Sequence, residues 1–187
     1  MVAVKDDPLG LSAVLEAGEL RLEPLEERHR DDLRKACAED AEIWKIYGSS
    51  FDPEHFEANF TGLLDNPERL ALAILVGGEL AGMTAWINPH VSWLSAEIGN
   101  TYIRPRLRGG AVNGPMKRLL FAHGFACGLK RIYLHVDTRN QRSQAACLKV
   151  GATFEGVLRN HMITWTGYER DTVVLSVVTR DREKLGL

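Results

Sequence analysis

The sequence is poor in the features that identify disulfide-rich, zinc-binding and membrane-spanning proteins. It has three cysteines, Cys37, Cys127 and Cys147, an odd number with no CxxC spacing among them. This pattern predicts neither a disulfide framework nor a zinc site, and a reducing compartment is the simplest setting for free thiols. No apolar run approaches the about 18 residues of a membrane span, and charges and a proline interrupt the amino terminus. We therefore expect a cytoplasmic protein that contacts no membrane.

An excess of charge of one sign is also lacking. The chain carries 23 Lys and Arg against 25 Asp and Glu, a net charge of -2, which argues against nucleic acid as the main ligand. Its 187 residues suit one domain with its own hydrophobic core. We expect a single domain over residues 1–187.

Hydrophobic periodicity and turn residues predict alternating strands and helices. A glycine pair, Gly77-Gly78, predicts a tight hairpin between two strands. Predicted strands cover 19–23, 70–76, 79–87, 96–103, 131–136, 154–158 with room to continue past Asn160, and 171–178; predicted helices cover 26–46 with a break, about 52–66, 116–127 and 143–150. This order favours one α/β domain with a partly antiparallel sheet.

The stretch RLRGGAVNGPMKRLL, residues 106–120, joins a predicted strand to a predicted helix through glycines. The first N–H groups of such a helix lack partners and stabilise an anion. A Walker loop needs Lys directly after the second glycine, but Lys117 comes two residues late, which turns its amine by roughly 200° on a helix. A Rossmann GxGxxG is absent. Residues 106–111 instead satisfy a third phosphate-binding pattern, (Arg or Gln)-x-x-Gly-x-(Gly or Ala).

With its surroundings, this loop resembles the GNAT superfamily of acyl-CoA N-acyltransferases. The segments RLEPLEERHRDDL, AEIGNTYIRP, HVDTRNQRSQAACLKVGATFEGVLRNH and GYERDTVVLSVV are similar to successive motifs of its RimJ/RimL branch, so the resemblance covers about residues 19–180. It implies the GNAT fold, a central mixed and largely antiparallel sheet of about seven strands flanked by helices. It also implies acetyl-CoA as the acyl donor and no metal.

The resemblance assigns cofactor-binding residues. The pyrophosphate would bind the loop N–H groups of Arg108, Gly109, Gly110, Ala111, Val112 and Asn113. The pantetheine arm would pair with the main chain near Tyr102, Ile103 and Arg104 and with Asn140, while Ser143 would cap its helix or reach the cofactor. Ordinary turn and cap roles stay open for the glycines and for the last two residues, and the side chains of Arg106 and Arg108 either bind phosphate or are solvated.

Transfer of an acyl group from a thioester to an amine needs a base that removes the amine proton. Some relatives place a glutamate on the strand before the loop, which makes Glu97 the candidate base, with a solvent-facing carboxylate as the alternative. His135 and His161 are the other candidates.

The general acid is where the chain departs from many relatives. The position of their usual tyrosine, four residues before Gly151, holds Cys147, which we expect to pack in the core. Tyr168 and Ser176 remain weaker candidates. Of five aromatic residues that could line the acceptor site, we expect one or two to do so; they are Trp44, Tyr47, Trp86, Trp93 and Trp165.

The resemblance thus implies transfer of the acetyl group to a primary amine by direct attack on the thioester. The acceptor would be a protein N-terminus or a small amine, and the enzyme a monomer or a homodimer. A different class of function is also open, a non-catalytic acyl-CoA-binding module that kept the phosphate loop. The third possibility, nucleotide phosphotransfer, would require magnesium-dependent ATP binding, which we do not expect.

Overall fold

Eight strands form one sheet in the computed structural model, which describes residues 6–110 and 112–187. The strands are β1 (Leu15–Ala17), β2 (Leu20–Pro24), β3 (Arg69–Val76), β4 (Glu79–His90), β5 (Ser95–Ile103), β6 (Arg131–Asp137), β7 (Thr153–Ile163) and β8 (Glu169–Val178). Their order is β1-β2-β3-β4-β5-β6-β8-β7, and every neighbouring pair is antiparallel except β5 and β6. The mixed, largely antiparallel sheet is as predicted, with eight strands rather than about seven.

The described residues form five α-helices besides the sheet. They are α1 (Arg30–Ala38), α2 (Phe56–Asp65), α3 (Asn113–Ala126), α4 (Gln141–Lys149) and α5 (Arg182–Leu185). None of the helices formed by the described residues is long and apolar enough to cross a bilayer.

Most predicted elements are confirmed, with differences at their ends. The helix predicted over 26–46 is broken: a 3₁₀ turn precedes α1 and a second, Ala41–Ile46, follows it. The helix expected from about residue 52 begins at Phe56, because Asp52 accepts hydrogen bonds from the N–H groups of Glu54 and His55 and holds a turn there. The short strand β1 and the short helix α5 were not predicted.

The Gly77-Gly78 hairpin has the predicted geometry. Both residues have positive φ, 59° and 84°, and Val76 pairs directly with Glu79. Positive φ at both central positions is the signature of a type I′ turn, which matches the twist of the two strands.

Alternating residues of the strands point to opposite faces of the sheet and pack in two separate hydrophobic cores. Leu72 and Ile98 belong to the core under α3 and α4, which also holds Trp86 and Phe121. Ala73 and the other residues of the opposite face pack under α1 and α2. Helices α1 and α2 do not fully cover this face of the sheet at β5, β6 and β8. A cavity forms there.

A gap between β5 and β6 creates the space for the cavity. Among the described residues the two strands pair only over 95–97 and 131–133. Beyond that point β5 carries a bulge, where the register to β4 jumps between Met83 and Ala85 and Asn100 adopts a φ of 51°. A bulge bends the strand that carries it. The two strands therefore diverge and leave a wedge-shaped opening.

Gly124 should be needed for the approach of α3 to the sheet. A Cβ there would lie 2.8 Å from Trp86 Cη2 and 2.9 Å from Ile132 Cδ1. Gly124→Ala should therefore overpack the core and lose about 1 kcal/mol of unfolding free energy net of its better helix propensity. Gly62→Ala in α2 is the control, because a Cβ there meets nothing within 4 Å, and it should gain up to about 1 kcal/mol. Urea unfolding measures both, and equal effects would contradict the packing argument.

Candidate functional site

A cavity of about 490 Å³ fills the opening between β5 and β6. Residues from both faces of the sheet line it, because the gap joins the two sides. On one side are Glu97, Tyr133, His135, His161, Met162 and Arg170, and on the other Lys117, Asn140, Ser143 and Cys147.

The arginine side chains of the loop after β5 are largely engaged by acidic residues. Arg104 Nε donates to Glu39 Oε1 at 2.7 Å, and Arg106 pairs with Glu79. Arg108 pairs with Asp40, although its Nη2 is buried and donates to no described residue. An anion at this loop would therefore meet backbone N–H groups first.

The predicted N–H donors of this loop are not all available, because the Arg108 N–H donates to the Pro105 carbonyl at 3.2 Å. No described residue accepts a hydrogen bond from the N–H groups of residues 109–110 and 112–114, at and just before the first turn of α3. Gly109 has a φ of 73°, and a Cβ on Gly110 would find only a carbonyl oxygen, 3.8 Å away. The predicted residue Ala111 lies outside the described residues. N–H donors without a described acceptor at a helix N-terminus suit a phosphate group.

The start of α4 is capped by Asn140, not by Ser143. The Asn140 Oδ1 accepts from the Ser143 N–H at 3.1 Å, which is an N-cap bond. The prediction that Ser143 caps this helix is therefore wrong. Both residues line the cavity, as a role toward a bound molecule requires.

The predicted main-chain residues of β5 lie beyond the wall of the cavity. The wall includes residues 98–101 of β5. The Tyr102 side chain points to the α1 side, where its hydroxyl donates to Ala36 O at 2.6 Å. The Ile103 carbonyl accepts from Arg108 Nε, and the Arg104 N–H donates to Ala81. Two of these main-chain groups thus already have partners.

Three candidate bases that sequence analysis treated separately lie together. Glu97 Oε2 and His135 Nδ1 are 2.9 Å apart, and the rings of His135 and His161 are 5.1 Å apart in an edge-to-face arrangement. His161 Nδ1 is 3.1 Å from the Thr172 hydroxyl. Because a carboxylate only accepts, Nδ1 of His135 carries the hydrogen, which leaves Nε2 as a proton acceptor.

His161 is held neutral at physiological pH. Burial lowers its pKa from the ordinary value, and the neighbouring His135 and Arg170 lower it further. A positive charge on this ring would be poorly solvated and would face another cation.

Lys117 is a cavity residue that sequence analysis missed. It belongs to α3 as expected, but it is 4% exposed, lines the cavity, and burial lowers the pKa of its amine. The sequence carried one signal, a lysine among apolar residues of a helix that packs on the sheet.

Of the three candidate proton donors, Cys147 lines the cavity, whereas Ser176 and Tyr168 do not. Cys147 is fully buried in the α3 and α4 core and also touches the cavity. Ser176 lies away from it and donates to Glu155 Oε1 at 2.7 Å, and Tyr168 lies under the Arg139 guanidinium. The cavity wall instead holds Tyr47, whose hydroxyl donates to Thr101 O at 2.8 Å and whose pKa burial raises to about 12.

Of the five aromatic candidates, two line the cavity, Trp44 and Tyr47. Trp86 is in the core, Trp93 is 74% exposed and stacked on His90, and Trp165 donates to the Trp44 carbonyl. No group of three or more His, Cys, Asp or Glu in the described ranges could hold a metal ion.

Comparison with known proteins agrees with this geometry. A sequence model of the acetyltransferase (GNAT) domain matches residues 19–153. Comparison with curated proteins gives no significant match.

Solved structures share the whole fold. A protein from T. thermophilus described as an acetyltransferase is 33% identical, with 92% of each chain covered and a TM-score of 0.84. A GCN5-related N-acetyltransferase from Brucella melitensis is 26% identical, with 93% of this chain and 82% of that one covered and a TM-score of 0.86. RimJ from Mycobacterium smegmatis, solved with a CoA-disulfide, is 22% identical, with 90% and 87% covered and a TM-score of 0.75.

The family match spans most of the chain, and solved structures described as acetyltransferases share its fold. The chain belongs to the GNAT acetyltransferase family.

Proposed function

We propose that the chain is a single-domain, acetyl-CoA-dependent N-acetyltransferase of the RimJ/RimL type, and that its acceptor is a primary amine of a protein N-terminus or of a small molecule. One observation carries the proposal. The loop whose N–H groups have no described acceptor follows the end of β5 that diverges from β6, and the Glu97–His135 pair lines the cavity between these two strands. An acyl-CoA bound by its pyrophosphate at the loop would extend through the gap toward the pair.

The donor side suits acetyl-CoA. The N–H groups of residues 109–110 and 112–114 would bind the pyrophosphate, with the buried Nη2 of Arg108 as a further donor. Asn140 and Ser143 line the cavity further in, where the pantetheine arm would lie. The Mycobacterium smegmatis RimJ structure, which shares the fold, holds a CoA-disulfide.

The acceptor side suits proton removal from an amine. A peptide α-amino group, with a pKa near 8, is about one-tenth neutral at pH 7, so a modest base suffices. Glu97 acts through His135: Nε2 takes the proton, and the carboxylate on Nδ1 orients the ring and stabilises its positive charge. The neutral amine attacks the thioester carbonyl, and the tetrahedral intermediate expels the thiolate.

The leaving thiolate needs little help, because its conjugate acid has a pKa of about 8 to 9. Tyr133 lines the cavity, and burial raises its pKa, so its hydroxyl stays protonated and can donate. The Tyr47 hydroxyl is also kept protonated by burial, but it already donates to Thr101 O. Cys147 is not required in this scheme.

The alternative function is a non-catalytic acyl-CoA-binding module, and the cysteine at the position of the usual tyrosine favours it. Thiol release from acetyl-CoA with a panel of peptides and small amines separates the two functions. Tight acetyl-CoA binding without turnover of any amine would establish the binding module.

Gly110→Glu should abolish CoA binding. The side chain has room to be built, so the fold should survive, while its bulk and negative charge occupy the phosphate position. We expect CoA affinity to fall by at least about 100-fold, or about 2.7 kcal/mol, in calorimetry. Gly62→Glu adds the same charge on exposed α2 and should bind normally. Unchanged affinity in Gly110→Glu would show that phosphate binds elsewhere.

Glu97→Gln should lower kcat by about 100-fold or more while the Kd for acetyl-CoA stays the same, because it removes the carboxylate that supports the base. His135→Gln should lose as much, and the double variant little more, since the two residues act as one unit. Glu54→Gln, an exposed carboxylate outside the cavity, is the control. Normal turnover in Glu97→Gln would remove it from the mechanism.

Cys147→Ala should keep most of its activity and lose some stability, because the thiol is fully buried in the core. Steady-state turnover and urea unfolding, measured together, separate the two effects. A large loss of turnover in a variant that is still folded would show that the thiol takes part in the reaction.

A further inference from the structure

Arg170 is a buried cation in the cavity wall that the mechanism above does not use. It lies near the start of β8, opposite Met162 of β7, and its side chain is 9% exposed. It is two residues from Thr172, so both side chains project from the same face of the strand. That face borders the cavity, whose wall includes Arg170.

The described residues provide Arg170 with too few hydrogen-bond acceptors to stabilise its buried positive charge. Its nearest carboxylate, Asp137, is 3.9 Å away at Nε, and that Nε is buried and donates no hydrogen bond to a described residue. Burial lowers the pKa of Arg170, and the described interactions that oppose this are Coulombic attractions to Asp137 and Glu97, with no hydrogen bond among them.

Asp137 is already committed to another guanidinium. Arg139 donates to it from Nη2 at 2.7 Å, from Nε at 3.0 Å and from its backbone N–H at 2.8 Å. Glu97 is bonded to His135. Two arginines therefore share one buried carboxylate, and the second of them lacks a close partner.

A buried guanidinium is stabilised by an oxyanion that accepts hydrogen bonds from its planar fork, and a carboxylate matches that geometry. We propose that Arg170 binds a carboxylate of the amine acceptor, an inference that rests on the proposed function. The acceptor is then an amine that also carries a carboxylate.

The sheet register sets the spacing between the two ends of such an acceptor. His135 lies opposite Val174 on β8, so about 13 Å of strand separates its position from that of Arg170. His161, bonded to Thr172, lies between them. This distance separates backbone positions, and the long arginine side chain spans part of it, so the spacing suits an acceptor whose amine and carboxylate are several bonds apart. A γ-amino acid, or a peptide N-terminus followed by an acidic side chain, has that spacing.

The test compares acceptors that differ only in their charge. Acetylation of 4-aminobutyrate and of its carboxamide, and of peptide amides beginning Ala-Asp and Ala-Asn, is measured for wild type and for Arg170→Met. Wild type should prefer the carboxylate of at least one pair by about 10- to 100-fold in kcat/KM, the range of a charged hydrogen bond. The preferred pair tells whether the carboxylate belongs to a small molecule or to a protein N-terminus.

In Arg170→Met the carboxylate acceptor should fall to the level of its neutral partner, mostly through KM, while the neutral partner and the Kd for acetyl-CoA stay unchanged. Arg180→Met removes an exposed cation and should change neither ratio. A merely structural role of Arg170 would lower both members of a pair equally, and that result would overturn the proposal.

Failure of this inference and failure of the proposed function have different outcomes. If wild type acetylates amines without any preference for a carboxylate, the inference is wrong and the proposed function stands. If wild type acetylates no amine, the proposed function is wrong, and calorimetry with 4-acetamidobutyrate tests the carboxylate site directly. Binding to wild type that is lost in Arg170→Met supports the site, and no binding, or equal binding, overturns it.

Discussion

The bulge of β5 at Asn100 is the constraint on which the rest of the site depends. An asparagine tolerates the left-handed conformation better than most residues do, and its side chain accepts a hydrogen bond from Arg69. The neighbouring hydroxyls of Thr84 and Thr101, 2.9 Å apart, tie the bulge to β4. Because β5 turns away from β6 directly after Glu97, the sheet opens at its centre. The start of α4 and the carboxylate–imidazole pair line that opening, and the glycine loop follows the diverging end of β5.

The glycine loop and the cavity differ in how their charged side chains are paired. At the glycine loop, three arginines are drawn to Glu39, Glu79 and Asp40, so the recognition elements that remain are mostly neutral N–H groups with a helix dipole behind them. In the cavity wall formed by β5, β6 and β8, the charged groups include the largely buried Glu97 and Arg170. Glu97 is satisfied by an imidazole, while Arg170 has only a shared and distant carboxylate. The first arrangement suits a phosphate group, and the second is the basis of the proposed preference for a carboxylate-bearing acceptor.

Local sequence gave accurate predictions where adjacent glycines set the backbone and inaccurate ones where short segments or neighbouring polar residues offered alternatives. Two adjacent glycines determine the type I′ hairpin, and the glycine loop ends where α3 begins, because both features arise within a few residues. The three-residue strand β1 was missed because so short a segment shows no period, and α2 began late because Asp52 first closes a turn. Likewise Asn140, rather than Ser143, caps α4. Both are polar residues that can cap a helix, so residue type alone does not decide between them.

The sequence alone determined the family resemblance, the order of most elements and the position of the glycine loop, because ordered motifs and local turn chemistry carry that information. Only the tertiary structure decided which polar groups meet. Glu97, His135 and His161 come from three strands and converge through the register of β5, β6, β8 and β7, which is set by pairing between distant segments. Lys117 and Arg170 look like ordinary helix and strand cations in sequence. Their burial in the cavity wall exists only once α3 and β8 are packed around the opening.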